Sequence, residues 1–147
     1  MMKLETRNSK LVKPSPIDAH PVRDFTDLDA WKLGRELRKT VYGITRRFPT
    51  EERHGLSDQL RRAALSVTAN VAEGFGRFSY RENVQFCRHA RGSAFELRDH
   101  LTSALDAAYI SSQESKEIDA AAQRVIQVLN GYIRATQKRE LNTRQTG

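Results

Sequence analysis

The chain has 147 residues, a formal net charge of +7, four prolines and a single cysteine, Cys87. That length suits one domain with a core large enough to need no covalent staple. The lone cysteine excludes an intrachain disulfide and fits a reducing cytoplasm. No apolar run approaches the roughly 20 residues of a membrane span, and Met1–Lys13 lacks the apolar centre of a secretory signal, so a cytoplasmic protein with no membrane partner is expected.

The position of the charge says more than its size. Residues 1–26 hold five basic and three acidic groups, residues 27–48 six and three, and the stretch from Lys138 three and one. Residues 51–77, 79–106 and 111–137 are each balanced. A localised cationic excess suits a polyanionic partner, RNA or DNA, or equally a solvated helix face with two basic ends.

Residues 1–23 contain Pro14, Pro16 and Pro21 among polar residues and read as a flexible basic arm. The first helix is expected from about Asp27 to Phe48, capped by Thr26 or Asp27 and stopped by Pro49. At about 100° per residue, Ala30, Leu33, Leu37, Val41, Ile44 and Phe48 form one apolar stripe. A second helix begins at Thr50 or Ser57, with Gly55 as a break, and ends at Gly74-Phe75-Gly76. A third starts at Ser79, with Glu82 in capping-box position, and reaches about Ile110. The fourth follows Ser111-Ser112 and fades after Thr136, leaving 138–147 as a flexible tail. Period-two alternation is absent throughout. Four amphipathic helices joined by short connections give an all-α fold over 24–137: an antiparallel up-down-up-down four-helix bundle.

Helix one is not simply polar opposite its core stripe. Leu28, Trp31 and Tyr42 fall there, interleaved with Lys32, Arg35, Lys39 and Arg46. Trp, Tyr and Arg are favoured anchors of subunit interfaces, which makes Leu28, Trp31 and Tyr42 candidates for self-association. Cations beside rings also suit nucleic acid, which makes Lys32, Arg35, Lys39, Arg46 and Arg47 candidates for phosphate contact. A third reading has the rings covering the bundle edge beneath the basic stems. All three stand open at this point.

Catalytic and metal chemistry find no support. Cys87 and His89 diverge on a helix, and His89 and His100 lack a completing carboxylate or thiol. Gly74-Phe75-Gly76 follows a helix and has no third glycine, so it is no dinucleotide loop. A Gly-x-Ser-x-Gly elbow is likewise missing. A protein without enzymatic activity or cofactor is expected. Asn70, Arg91 and Glu96 lie near inner seams and read as satisfied polar groups that fix register, with Arg61 and Arg62 reaching Glu96 or Glu73 across the bundle. Gly92 and Ser93, beside Ala94, form a small-residue patch for close helix approach.

Two stretches carry a resemblance. One runs from Leu56-Ser57-Asp58-Gln59-Leu60-Arg61-Arg62 through Asn70-Val71-Ala72-Glu73-Gly74-Phe75-Gly76-Arg77. The other is Phe86, Ala90-Arg91-Gly92-Ser93 and Glu96-Leu97. With Leu28-Asp29-Ala30-Trp31 and Phe48-Pro49 ahead of them, they resemble the four-helix-bundle family of bacterial rRNA intervening-sequence proteins, over about residues 24–136. The accessory variability determinant of diversity-generating retroelements is of the same superfamily. The resemblance implies a homopentameric barrel, no enzymatic activity, and a basic surface that serves nucleic acid and, in the retroelement protein, a reverse transcriptase. Arg61, Arg62, Asn70, Glu73, Gly74, Gly92, Ser93 and Glu96 are the most family-like positions and are implied to set packing and register. A scaffold that docks an acidic protein partner is the competing function.

Overall fold

A computed structural model describes residues 21–147. The arm expected over 1–23 lies almost wholly outside the described residues. Within them the chain is all-α, with four long helices and no strand, consistent with a four-helix bundle.

The entry to the first helix differs from expectation. Asp24 caps a short 3-10 turn, Phe25–Asp27, and Asp27 returns the bond to the backbone of Asp24. The backbone N–H groups of Arg23 and Asp24 both donate to the Asp27 carboxyl and hold it below the usual carboxylate range. The helix itself, α1, spans Asp29–Thr45, and its N-cap is Leu28 in an extended conformation rather than Thr26 or Asp27.

A second 3-10 turn, Thr50–Glu52, precedes α2, Leu56–Phe75. The Glu52 carboxylate accepts from the Leu56 N–H at 2.8 Å, closing the start that Gly55 interrupts. Helix α3 spans Tyr80–Asp106, and its cap is Ser79, whose hydroxyl accepts from Glu82 N–H. Helix α4 spans Ser112–Thr146, with a reciprocal capping box between Ser111 and Glu114. It therefore continues well beyond Thr136, where the apolar pattern stops. Backbone bonds and the i,i+4 pair Glu140–Arg144 sustain that end without core contacts.

Each helix packs on its chain neighbours, and α1 closes the ring on α4; the backbones of the diagonal pairs stay apart. Cross-helix bonds run in opposing sequence order: Arg98 to Asp119 at 2.7 Å, Arg91 to Asn130 at 2.8 Å, and Asn83 to Tyr132 at 2.9 Å. The Arg98 bond holds the Asp119 carboxyl below the usual carboxylate range. Leu37, Leu60, Leu97, Leu101 and Leu129 are fully buried at the centre, one or more from every helix. Leu33, expected in the core stripe of α1, is only partly buried, and Gly34 takes the buried place. A Cβ at Gly34 would stand 3.0 Å from Thr68 Cγ2, so α1 and α2 meet there at close range.

The α3–α4 turn corrects another expectation. The third helix, expected to reach about Ile110, ends at Asp106, and Ala108 lies outside it, exposed and left-handed at φ 59°. Tyr109 N–H bonds Ala104 C=O and Ala108 N–H bonds Leu105 C=O, the Schellman closure of a helix C-terminus. Tyr109 then packs its ring 5.2 Å from that of Phe48. Alanine in this conformation is strained, whereas glycine is not. Ala108→Gly is therefore expected to stabilise the fold by about 0.5 kcal/mol after its greater unfolded-state entropy is subtracted. Thermal unfolding followed by circular dichroism reads this as a raised Tm; a lowered Tm contradicts it.

Candidate functional site

The outer side of α1 forms one wall of a groove whose other wall is α2. Arg38, Lys39, Tyr42 and Arg46 line it from α1 and Leu65 from α2, around a volume of about 430 Å³. Two cross-links tie α1 to α2 beside it. Arg38 donates to Thr68 Oγ1 at 2.8 Å, and Arg61 donates to Thr45 Oγ1 at 2.8 Å while its guanidinium lies 4.7 Å over the Tyr42 ring. Further along α1, Trp31 meets Phe25 edge-on at 5.3 Å and carries Arg35 at 5.7 Å. Lys32, Arg35 and Arg46 are exposed and form no ion pair among the described residues. Lys39 pairs only with exposed Glu36, a contact of little energetic weight in water.

Three of the expected phosphate contacts, Lys32, Arg35 and Lys39, thus share a side with Arg46, as a period near 100° per residue requires. Arg47 does not. It sits about 100° round the helix from Arg46 and is bound to Glu114 at the start of α4. The Ser111 N–H and this bond keep the Glu114 carboxyl below the usual carboxylate range.

Leu28 is also corrected. It is 5% exposed and belongs to the protomer's own core. Helical spacing places it outward, but residue 28 precedes the helix and its extended backbone turns the side chain inward. Trp31 and Tyr42 are half-buried, each with an arginine across its ring, so bundle-edge packing accounts for much of both side chains. Sequence reasoning missed Arg38, Thr68 and Leu65. Arg38 had a signal, since it falls between Trp31 and the core stripe; Leu65, 43% exposed, had none.

The family-like positions separate into two groups. Asn70 donates to Ser66 C=O and Oγ, and the Ser66 and Ser93 hydroxyls bond each other at 2.7 Å, joining α2 to α3. Gly74 lies against Phe86 and Asn83 of α3, at 2.9 Å and 3.0 Å from where its Cβ would stand. The second group faces solvent. Arg62 pairs with Asp58, Glu73 with Arg77, and Glu96 with His100, each within its own segment. Arg61 and Arg62 therefore reach neither Glu96 nor Glu73. A Cβ at Gly92 meets nothing within 4 Å, so no helix of this protomer approaches it. The ion pairs of this group are short-range, and a long side chain finds such partners before it spans a bundle.

Among the described residues no three His, Cys, Asp or Glu side chains gather as a metal site, and no helix is long and apolar enough to cross a membrane. Cys87 is fully buried and donates weakly to Asn83 Oδ1 at 3.6 Å. Burial pushes its thiol up to about 11. Thiolate at pH 8 is then on the order of a hundredfold scarcer than for an ordinary cysteine. Native protein is expected to resist a disulfide reagent that labels the urea-unfolded chain within minutes; rapid native labelling contradicts this burial.

A family model described as 23S rRNA-intervening sequence protein matches residues 26–131. Among solved structures, the chain is similar to a crystal structure of a protein with unknown function from the S23 ribosomal protein family of Bacteroides thetaiotaomicron. The two are 17% identical with a TM-score of 0.66, and the match covers 71% of this chain and 97% of that one. A likeness at this identity speaks for the fold. No curated protein matches the chain. The family match spans the four-helix region from the turn before α1 to Gly131 of α4, and the chain belongs to the 23S rRNA-intervening sequence protein family.

Proposed function

We propose that this is a non-enzymatic, oligomeric nucleic-acid-binding protein that engages phosphate through the outer side of α1. The observation that carries the proposal is the row Lys32, Arg35, Lys39 and Arg46, exposed on one helix and largely free of carboxylate partners. Arg38 and Tyr42 extend the row into the α1–α2 groove. The family's link to rRNA intervening sequences supports it further. Mobility shift with structured RNA and with DNA across a salt series tests it. Binding that weakens steeply with salt is expected, whereas no shift at low salt overturns it.

The same proposal includes the assembly. The bundle is antiparallel, up-down-up-down, and its protomers close into a homopentamer. A five-fold ring needs a head-to-tail contact between two different patches. The ring order of the helices puts the α1–α2 groove opposite the α3–α4 groove. Leu65 is exposed at the first and Phe95, 50% exposed, at the second, where Arg98 lies 5.5 Å over its ring. Light scattering is expected to give five copies of the 16.8 kDa chain, and a monomer refutes the ring. An assembly of this kind multiplies a modest cationic row into a strong one.

A further inference from the structure

The connection between α2 and α3 presents Arg77-Phe78-Ser79-Tyr80-Arg81, aromatic and cationic residues almost in alternation. Phe78 is 108% exposed, more open than in an extended chain, and Tyr80 is 41% exposed. A phenyl ring held wholly in water contributes nothing to the protomer's core. Its backbone is nonetheless held in place. Ser79 caps α3, Arg77 lies 5.0 Å over Phe86, and Glu73 anchors Arg77 at 2.6 Å.

Toward α2, Phe78 lines a groove with Glu73, Arg77 and Glu82; the free cations lie on the α3–α4 side. Arg81 and Arg88 of α3 line a groove of about 520 Å³ with Gln137 and Glu140 of α4, so the last turns of α4 stand at this same end of the bundle. Glu73 and Glu140 are each taken by an arginine of their own segment, Arg77 and Arg144. Among the described residues of α3 and α4 at this end that leaves Arg81, Arg88, Lys138 and Arg139 without an ion pair, against one unpaired carboxylate, Glu82, while the start of α1 adds Asp24, Asp27 and Asp29 beside Arg23 and Lys32.

Rings open on their faces, flanked by unpaired cations, match the chemistry of unpaired nucleotides: a π-face for each base and a phosphate for each cation. We infer that Phe78 and Tyr80 form a stacking platform for single-stranded nucleic acid, with Arg81 and Arg88 on its phosphates. The inference rests on the nucleic-acid function proposed above and adds a second element at the bundle end, specific for unpaired bases. A duplex keeps its bases stacked and offers this platform nothing beyond phosphates. A partner protein's apolar pocket is the other occupant for an exposed phenyl. The four unpaired cations favour the polyanion.

The test uses the full chain and two fluorescent probes, a 20-nucleotide oligouridine and a blunt RNA duplex of equal length, read by anisotropy over a salt series. Phe78→Ala is expected to weaken oligouridine binding about tenfold and leave duplex binding unchanged, with the salt slope intact. Phe78→Trp retains single-strand binding, and Arg81→Gln lowers the salt slope by roughly one phosphate's share. Circular dichroism checks folding, which an exposed ring does not support. Wild-type protein that binds oligouridine while Phe78→Ala and Tyr80→Ala bind it equally well overturns the platform alone. Wild-type protein that binds neither probe at low salt overturns the proposed function and the platform with it. A changed mass of Phe78→Ala in light scattering marks the tip as a self-association surface and also overturns the platform.

Discussion

Gly74→Val is expected to lower the unfolding free energy by about 2–3 kcal/mol, despite the higher helix propensity of valine. The added Cβ would stand 2.9 Å from Phe86 Cβ and 3.1 Å from the carbonyl oxygen of Asn83. Neither neighbour is the far end of a flexible chain, so α3 itself must retreat. Asn83 also donates to the Tyr132 hydroxyl and accepts from Cys87, which couples the displacement to α4. Gly43→Ala and Gly92→Ala are the controls, because a Cβ at either meets nothing within 4 Å. Both are expected to be neutral or to gain up to about 1 kcal/mol. Urea unfolding curves check all three, and a neutral Gly74→Val contradicts the tight α2–α3 contact.

Joint replacement of Lys32, Arg35, Lys39 and Arg46 by alanine is expected to produce the largest functional effect. Each phosphate that is no longer neutralised takes about 0.9 off the slope of log affinity against log salt on duplex nucleic acid. Removing all four cations reduces that slope by about 3.5 and weakens binding about 10³-fold at ~50 mM salt. Arg47→Ala provides the internal control. Its guanidinium is already engaged with Glu114 across to α4, so the slope should hardly change. A quadruple variant with wild-type slope, or an Arg47→Ala defect equal to that of Arg46→Ala, contradicts the placement of the site. Stability should be little altered, since all four side chains are exposed.

The contrast between Arg46 and Arg47 shows how far the sequence could be read. Helical period alone aligned Lys32, Arg35, Lys39 and Arg46, and the same period fixed the buried residues Leu37, Val41 and Ile44. Local chemistry also marked Ser79 as a cap and Gly55 as a break. Period failed where residues lie outside the helix. Leu28 is an extended N-cap and Ala108 a left-handed turn residue, so neither obeys 100° per residue. Apolar pattern also could not find the end of α4, because residues beyond Thr136 are helical without being buried. Long-range partners were illegible for another reason. Arg61 bonds Thr45 and stacks on Tyr42, a choice made by the packing of α1 against α2 rather than by any spacing within one helix.

The last part of α4 has a thermodynamic consequence of its own. Thr136 is its final buried residue, and everything from Leu141 onward is exposed. A segment that short gains too little from its own hydrogen bonds to outlast the cooperative core, since isolated helices below about 12–15 residues are marginal in water. Its amide protons should therefore exchange through local fraying, in a ladder that quickens toward Thr146, while those around Leu129 wait for global opening. The cations at Lys138, Arg139 and Arg144 then sit on a helix–coil equilibrium rather than on a rigid wall. Any polyanion that holds them in helical register would slow exchange there first, with the buried core unmoved.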